Sequence, residues 1–269
     1  MQTVTFDGAE VSYEDVGEGP PLLLVHSSGM GAQQFGRWLG PLSAGRRVLA
    51  PDLPGYGEST PIPAAEPFEV GWDVEALVRV CEAAGVGSTA VFGHSFGGVV
   101  ALELALAEPS LVSALVLYEP VAFGVLAAKG ERTLEDDLGG ARFVDTFMDR
   151  GEGLAAWLER FIGYWNGQGA WGRLSPGARA MFERNAERAW AEVDAMVRDG
   201  GLQGGYEGLE VPTLLLRGDA TTPAAARVTD VLARTMEAAR VEVIDGAGHM
   251  GPLTHQSRVL ACIECFIGR

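Results

Sequence analysis

The chain of 269 residues has little sulfur, little positive charge and no long apolar run. Its three cysteines are an odd number and do not build a disulfide framework. Cys262 and Cys265 form a C-x-x-C pair, but they lie in the apolar pattern Val259, Cys262, Ile263, Phe266 of a terminal helix. No second cysteine pair or nearby histidine completes a zinc set, so core packing is expected there rather than redox or metal chemistry. Lysine and arginine number 20 against 36 aspartates and glutamates, for a net charge of −16. Such a chain repels nucleic-acid phosphates and anionic membranes, which excludes both as partners. No stretch reaches the ~18–20 consecutive apolar residues that a membrane span needs. The N-terminal MQTVTFDGAEVSYEDVG lacks a basic region followed by an apolar one. No signal peptide is expected, and a reducing cytoplasm is the expected setting. The composition favours no oligomeric state.

What is present is an alternation. Val4–Phe6 and Val11–Tyr13 read as short strands about an Asp7-Gly8 turn. Pro21–Val25, Arg47–Ala50, Thr89–Phe92 and Ala114–Leu117 are short apolar runs, the mark of strands buried on both faces. Between them, Glu69–Glu82 carries apolar residues at helical spacing and Val99–Leu106 is apolar nearly all round. From about 121 to 205 the strand pattern stops. Phe143, Val144, Phe147 and Met148 form one helical stripe, and Leu154, Trp157, Leu158, Phe161, Ile162 and Trp165 a stronger one. Ser175-Pro176 reads as a helix start, and Trp190, Val193 and Val197 mark another helix. Strands resume at Pro212–Leu216 and Arg240–Ile244, each followed by helical sequence. The reading is an α/β protein with a mostly parallel sheet covered on both faces. Its core is formed by 1–120 and 206–269, with an all-helical insertion at 121–205.

Gly93-His94-Ser95-Phe96-Gly97-Gly98 follows an apolar strand and opens an apolar helix. In that setting G-x-S-x-G is a nucleophile elbow, a strained turn that exposes the Ser95 hydroxyl at the positive end of a helix. Together with VHSSGM at 25–30, PDLPGYGES at 51–59 and GAGHM at 246–250, in that order, the chain resembles the α/β-hydrolase superfamily over essentially its whole length. The resemblance implies the α/β-hydrolase fold, an eight-stranded sheet with a helical lid inserted after strand 6. It also implies His249, on the loop after the last strand, as the base. His26 and His94 resemble structural positions of the family, as does Asp52, and His255 reads as a surface or capping residue. The implied oxyanion hole takes one N–H from Phe96 and another from the loop after Pro21–Val25, where Ser27 is the best match.

The acid is open. Many relatives carry an aspartate at the third position after the glycine ending the seventh strand. Here Leu216-Arg217-Gly218-Asp219-Ala220-Thr221 puts the uncharged Thr221 there and Asp219 two residues early. In other relatives the acid follows the sixth strand, which here runs into Tyr118-Glu119-Pro120. Glu119 is the first candidate, Asp219 the second, and the lack of a working acid a third reading.

The insertion carries Trp157, Trp165, Trp171 and Trp190. Most of its aromatic residues are expected to pack, and Trp157, Phe161 and Trp165 are the candidates for lining a pocket for an apolar or aromatic group. The expected activity is that of a serine hydrolase, carboxylesterase-like, acting on a small-molecule substrate through an acyl-enzyme, with no metal and no organic cofactor. Two other readings stay open: a carbon–carbon bond hydrolase, lyase or cyclase on the same site, and a catalytically weak ligand-binding protein of this fold.

Overall fold

The computed structural model describes residues 1–62, 67–132, 151, 153–198 and 205–268. Strands β1 (Gln2–Phe6) and β2 (Ala9–Val16) form a hairpin across Asp7 and Gly8, whose φ values of 45° and 80° give the twist a two-residue hairpin requires. The apolar runs become β3 (Pro21–Val25), β4 (Arg47–Pro51), β5 (Thr89–His94), β6 (Val112–Tyr118), β7 (Thr213–Gly218) and β8 (Ala239–Ile244). They join in one eight-stranded sheet of order β1-β2-β4-β3-β5-β6-β7-β8. β2 runs antiparallel to both its neighbours, and all other pairs are parallel.

Helices α1 (Gly36–Ser43), α2 (Val70–Ala83) and α3 (Phe96–Ala107) lie in the first half of the chain. Between β6 and β7 come α4 (Gly124–Ala128), α5 (Leu154–Asn166), α6 (Ala170–Arg173), α7 (Pro176–Arg184) and α8 (Ala186–Arg198). Helices α9 (Pro223–Thr235), α10 (Gly251–Thr254) and α11 (Gln256–Ile267) complete the chain. Apolar residues of α2, α3 and α9 form a core on one face of the sheet, and Trp38 and Leu42 of α1 with Val259 and Ile263 of α11 form one on the other. Parallel strands are thereby buried on both sides. Among the described residues, the segment between β6 and β7 contains no strand. The expected stripe of Phe143, Val144, Phe147 and Met148, and the side chain of Val197, lie outside the described residues. Ser175 caps α7 as expected, its Oγ accepting from the Ala178 N–H at 3.2 Å. Cys262 is buried and Cys265 exposed, so the two thiols point to different surroundings. Among the described residues, no helix is long and apolar enough to cross a membrane.

Register brings the carboxyl ends of the central strands together. Val25 of β3 is opposite Gly93 of β5, and His94 of β5 is opposite Tyr118 of β6. The next residues along, Ser95 and Glu119, both leave the sheet at positive φ, 56° and 44°. Such values are strained for residues with a Cβ and persist only where the surroundings impose them. Here the Ser95 N–H donates to the Tyr118 carbonyl at 3.0 Å and the Glu119 N–H to the Leu216 carbonyl at 2.9 Å. The turn at Ser95 also needs glycine after it. A Cβ on Gly97 would lie 2.4 Å from the carbonyl oxygens of both Val25 and His26. Both atoms belong to backbone that cannot retreat without breaking the sheet. Gly97→Ala is therefore expected to cost at least about 3 kcal/mol, more than ordinary overpacking, read as a lowered urea midpoint.

Candidate active site

Glu119 follows β6 and is fully buried. Its Oε1 accepts the Gly218 N–H at 2.8 Å, and its Oε2 accepts the Thr221 hydroxyl at 2.6 Å. The same Oε2 lies 2.7 Å from His249 Nδ1, and His249 Nε2 lies 3.0 Å from Ser95 Oγ. A carboxylate accepts only, so Nδ1 carries the proton and Nε2 is left to accept from the Ser95 hydroxyl. Asp219, the second acid candidate, is exposed and turned elsewhere: its Oδ1 accepts the Gly246 N–H at 2.7 Å. The cap ahead of Pro223 is Thr222, whose Oγ1 accepts from the Ala225 N–H at 3.4 Å.

The loop carrying His249 is fixed on several sides. The Tyr118 hydroxyl donates to the Gly248 carbonyl at 2.8 Å, and His94 Nε2 donates to the His249 carbonyl at 2.9 Å. His94 Nδ1 accepts from Gln34 Nε2 at 3.1 Å. Burial, with the neighbouring His249 second, holds His94 well below the ordinary imidazole range, so it stays neutral. His26 is likewise buried, its pKa pushed down to about 4 by desolvation, and its Nε2 accepts the Leu53 N–H at 3.0 Å. Both are structural positions. The face of Trp165 covers the His249 ring, with centroids 3.8 Å apart and planes 21° apart.

Three placements differ from the sequence reading or were not part of it. The first concerns the oxyanion loop. The Ser27 N–H donates to Gln34 Oε1 at 3.0 Å and its hydroxyl to the same oxygen at 2.9 Å, so neither donor is free for a ligand. The Ser28 N–H has no hydrogen-bond partner among the described residues, and neither has that of Phe96, the first residue of α3. Ser28 lines the same cavity as Ser95. The second is Trp157, which is completely buried. It stacks on Phe161 at 5.0 Å within a core of α5, α7 and α8, and it does not line the cavity. Its place in the helical stripe turns it toward the neighbouring helices, while Phe161 and Trp165 face the cavity. That cavity has a volume of about 450 Å³ and opens beside Ser95 and His249. Met30, Ile162, Met181 and Phe182 join its wall, and among its lining residues only Arg173 and His249 carry ionisable side chains.

The third is a buried charged cluster that the sequence reading missed. Glu192 of α8 and Asp73 of α2 are both inaccessible. Arg188 donates to Asp73 at 2.7 Å, lies 3.5 Å from Glu192, and stacks over Phe68 at 3.8 Å. Glu192 also accepts from the hydroxyls of Ser28 and Tyr56, the latter at 2.8 Å. Desolvation pushes the Glu192 pKa up to about 7, against the pull of Arg188 and with the help of Asp73. In sequence, Arg188 and Glu192 look like an ordinary exposed i,i+4 pair.

Residues 22–261 match the profile of the Alpha/beta hydrolase family, and the chain belongs to that family. It is 30% identical over 240 residues to Lipase LipV of Mycobacterium tuberculosis, covering 82% of this chain and 83% of the lipase. It is 24% identical over 268 residues to (E)-2-((N-methylformamido)methylene)succinate hydrolase of Acinetobacter baylyi, covering 95% and 93%. The solved structure of a hydrolase from Pseudomonas aeruginosa PA01 superposes with a TM-score of 0.77 at 26% identity, covering 100% of this chain and 98% of the other. The chain is an enzyme of the hydrolase class.

Two outcomes follow from the packing. Trp157→Ala is expected to cost about 3–5 kcal/mol in urea unfolding and to leave the preference among substrates unchanged. The folded pKa of Glu192, about 7, is raised above its ordinary value of 4.5. Its contribution is therefore fully present below about 4.5 and is lost as the pH rises through 7. Urea midpoints at pH 4.5 and 8 should show the wild type losing roughly 3 kcal/mol relative to Glu192→Gln.

Proposed function

We propose that this chain cleaves an ester of a small apolar or aromatic acid through an acyl-enzyme, with Ser95 as nucleophile, His249 as base and Glu119 as acid. The unbroken run of hydrogen bonds from the Ser95 hydroxyl through His249 to the Glu119 carboxylate carries this reading. His249 Nε2 takes the hydroxyl proton as Ser95 Oγ attacks the carbonyl carbon. The carboxylate of Glu119 holds the ring in the tautomer that permits this and balances the imidazolium that forms. The N–H groups of Phe96 and Ser28 receive the oxyanion, at the positive end of α3. The imidazolium then gives its proton to the leaving oxygen. Water, deprotonated by the same nitrogen, attacks the acyl carbon and frees Ser95.

The substrate class follows from the cavity. Its volume suits a small molecule. Its wall beside Ser95 is made by Phe161, Trp165, Met181 and Phe182, which favours burial of an apolar acyl group over a charged one. These side chains come from the segment at 121–205, which serves as the lid over a core of 1–120 and 206–269. Among the relatives, the lipase fits an ester substrate best.

Intact mass after exposure to an alkyl fluorophosphonate tests the reading, with peptide mapping of the adduct. A single adduct on Ser95 is expected. Glu119→Gln should slow its formation by about a thousand-fold or more, and Asp219→Asn by less than two-fold. A folded wild type that forms no adduct, or that forms it equally fast in Glu119→Gln, overturns the assignment.

A further inference from the structure

A donor in an oxyanion site is useful only if it is already in place when charge develops. Ser28 lies in the turn after β3, a stretch of Ser27–Gly31 with two glycines at positive φ, Gly29 at 79° and Gly31 at 83°. Within the turn itself one backbone hydrogen bond closes it, from the Met30 N–H to the Ser27 carbonyl at 3.2 Å, and it leaves the direction of the Ser28 N–H to contacts from outside. Its first residue is fastened from within the core, through Gln34 and His94. Its middle is fastened from the segment between β6 and β7. Asn185, the residue joining α7 to α8, donates from Nδ2 to the Gly29 carbonyl at 2.9 Å. Glu192 of α8 accepts the Ser28 hydroxyl. Tyr56 ties the same two points together, accepting the Gly29 N–H at 3.2 Å and donating to Glu192 at 2.8 Å. Phe182 of α7 packs so closely that a Cβ on Gly29 would lie 2.7 Å from its ring.

We propose that Asn185 and Glu192 are positioning residues for the oxyanion site, holding the Ser27–Gly31 turn so that the Ser28 N–H faces the carbonyl attacked by Ser95. The proposal rests on the acyl-transfer reading above. It gives the second half of the helical segment, α7 and α8, a part in the chemical step beyond the cavity wall that α5 and α7 supply. It also explains why α8 carries a buried carboxylate at all. An apolar residue at 192 would pack against the turn without fixing the direction of Ser28. A carboxylate accepting two hydroxyls at once fixes the turn, Tyr56 and α8 in one arrangement. Arg188, itself anchored on Asp73, keeps part of the carboxylate's charge balanced.

The predicted defect is confined to states that carry an oxyanion. A donor displaced by about 1 Å loses most of its value in the transition state and little in ground-state binding. Ser28→Ala keeps the backbone N–H and removes the tether. Asn185→Ala removes the other tether without touching the charged cluster, and it serves should Ser28→Ala fold poorly. For 4-nitrophenyl ester hydrolysis, each should lower kcat at least ten-fold with KM within two-fold, and the double variant further. Inhibition should separate positioning from mere packing. A trifluoromethyl ketone, which forms a tetrahedral oxyanion on Ser95, should bind at least ten-fold more weakly to each variant. The matching trifluoromethyl alcohol, which carries no oxyanion, should bind as it does to wild type. Unchanged kcat in both variants, or equal weakening of ketone and alcohol, overturns the proposal and leaves Asn185 and Glu192 as packing contacts. A wild type that neither labels with the fluorophosphonate nor turns over the ester instead overturns the acyl-transfer reading, and this proposal falls with it.

Discussion

The site depends on one close approach, that of the start of α3 to the end of β3. Gly97 sits against the carbonyl oxygens of Val25 and His26 with no room for a side chain. That contact sets three things at once. It places the first N–H groups of α3 beside the turn leaving β3. It forces the chain to leave β5 sharply, which puts Ser95 at φ 56°. And it aligns the helix so that its positive end lies at Ser95. The strain at Ser95 is stored locally and offset by the sheet, since β3 and β6 hold β5 up to the turn and the Ser95 N–H itself donates to the Tyr118 carbonyl.

A second positive φ, at Glu119, repeats this logic one strand along. Glu119, the acid in the proposed function, comes from the end of β6, yet its carboxylate lies at the end of β7, where Gly218 and Thr221 both donate to it. Thr221 thus stands where many relatives carry their aspartate, and it serves the carboxylate it does not itself supply. The buried carboxylate has three donors around it, Gly218, Thr221 and His249 Nδ1, so neither of its oxygens is left without a partner.

This pattern explains what was legible in the sequence. All eight strands were readable because each central one is a short apolar run bounded by turn residues, and parallel strands buried on both faces leave that mark. Ser95, Glu119 and His249, named from motif and resemblance, share one chain of hydrogen bonds in the structure. What failed to read depends on side chains arriving from elsewhere. Ser27 looked like the oxyanion donor because nothing in VHSSGM announces that Gln34 takes both its protons. Trp157 and Trp165 belong to one helical stripe too broad to say which part meets helices and which meets the cavity. Glu192 was invisible, because in a chain with 36 acidic residues another carboxylate on a helix reads as solvated surface.

That last residue raises the question of why a hydrolase would bury charge where apolar packing is available. Two carboxylates, Asp73 and Glu192, share one guanidinium, and desolvation pushes both their pKa values up. Such a cluster stabilises the fold less than well-packed leucines would, since the cost of removing ions from water is only partly returned. Its advantage is directional. Apolar surfaces tolerate small slides and rotations at little cost, whereas hydrogen bonds weaken steeply once bent or lengthened. A helical segment resting on a sheet by apolar contact alone has many near-equivalent seats. One that must also satisfy Arg188, Tyr56 and Ser28 has a single seat, because every other one leaves a buried ion without partners. The stability forgone in the cluster is thus exchanged for a fixed relation between α8 and the turn after β3, which carries the proposed oxyanion donor Ser28.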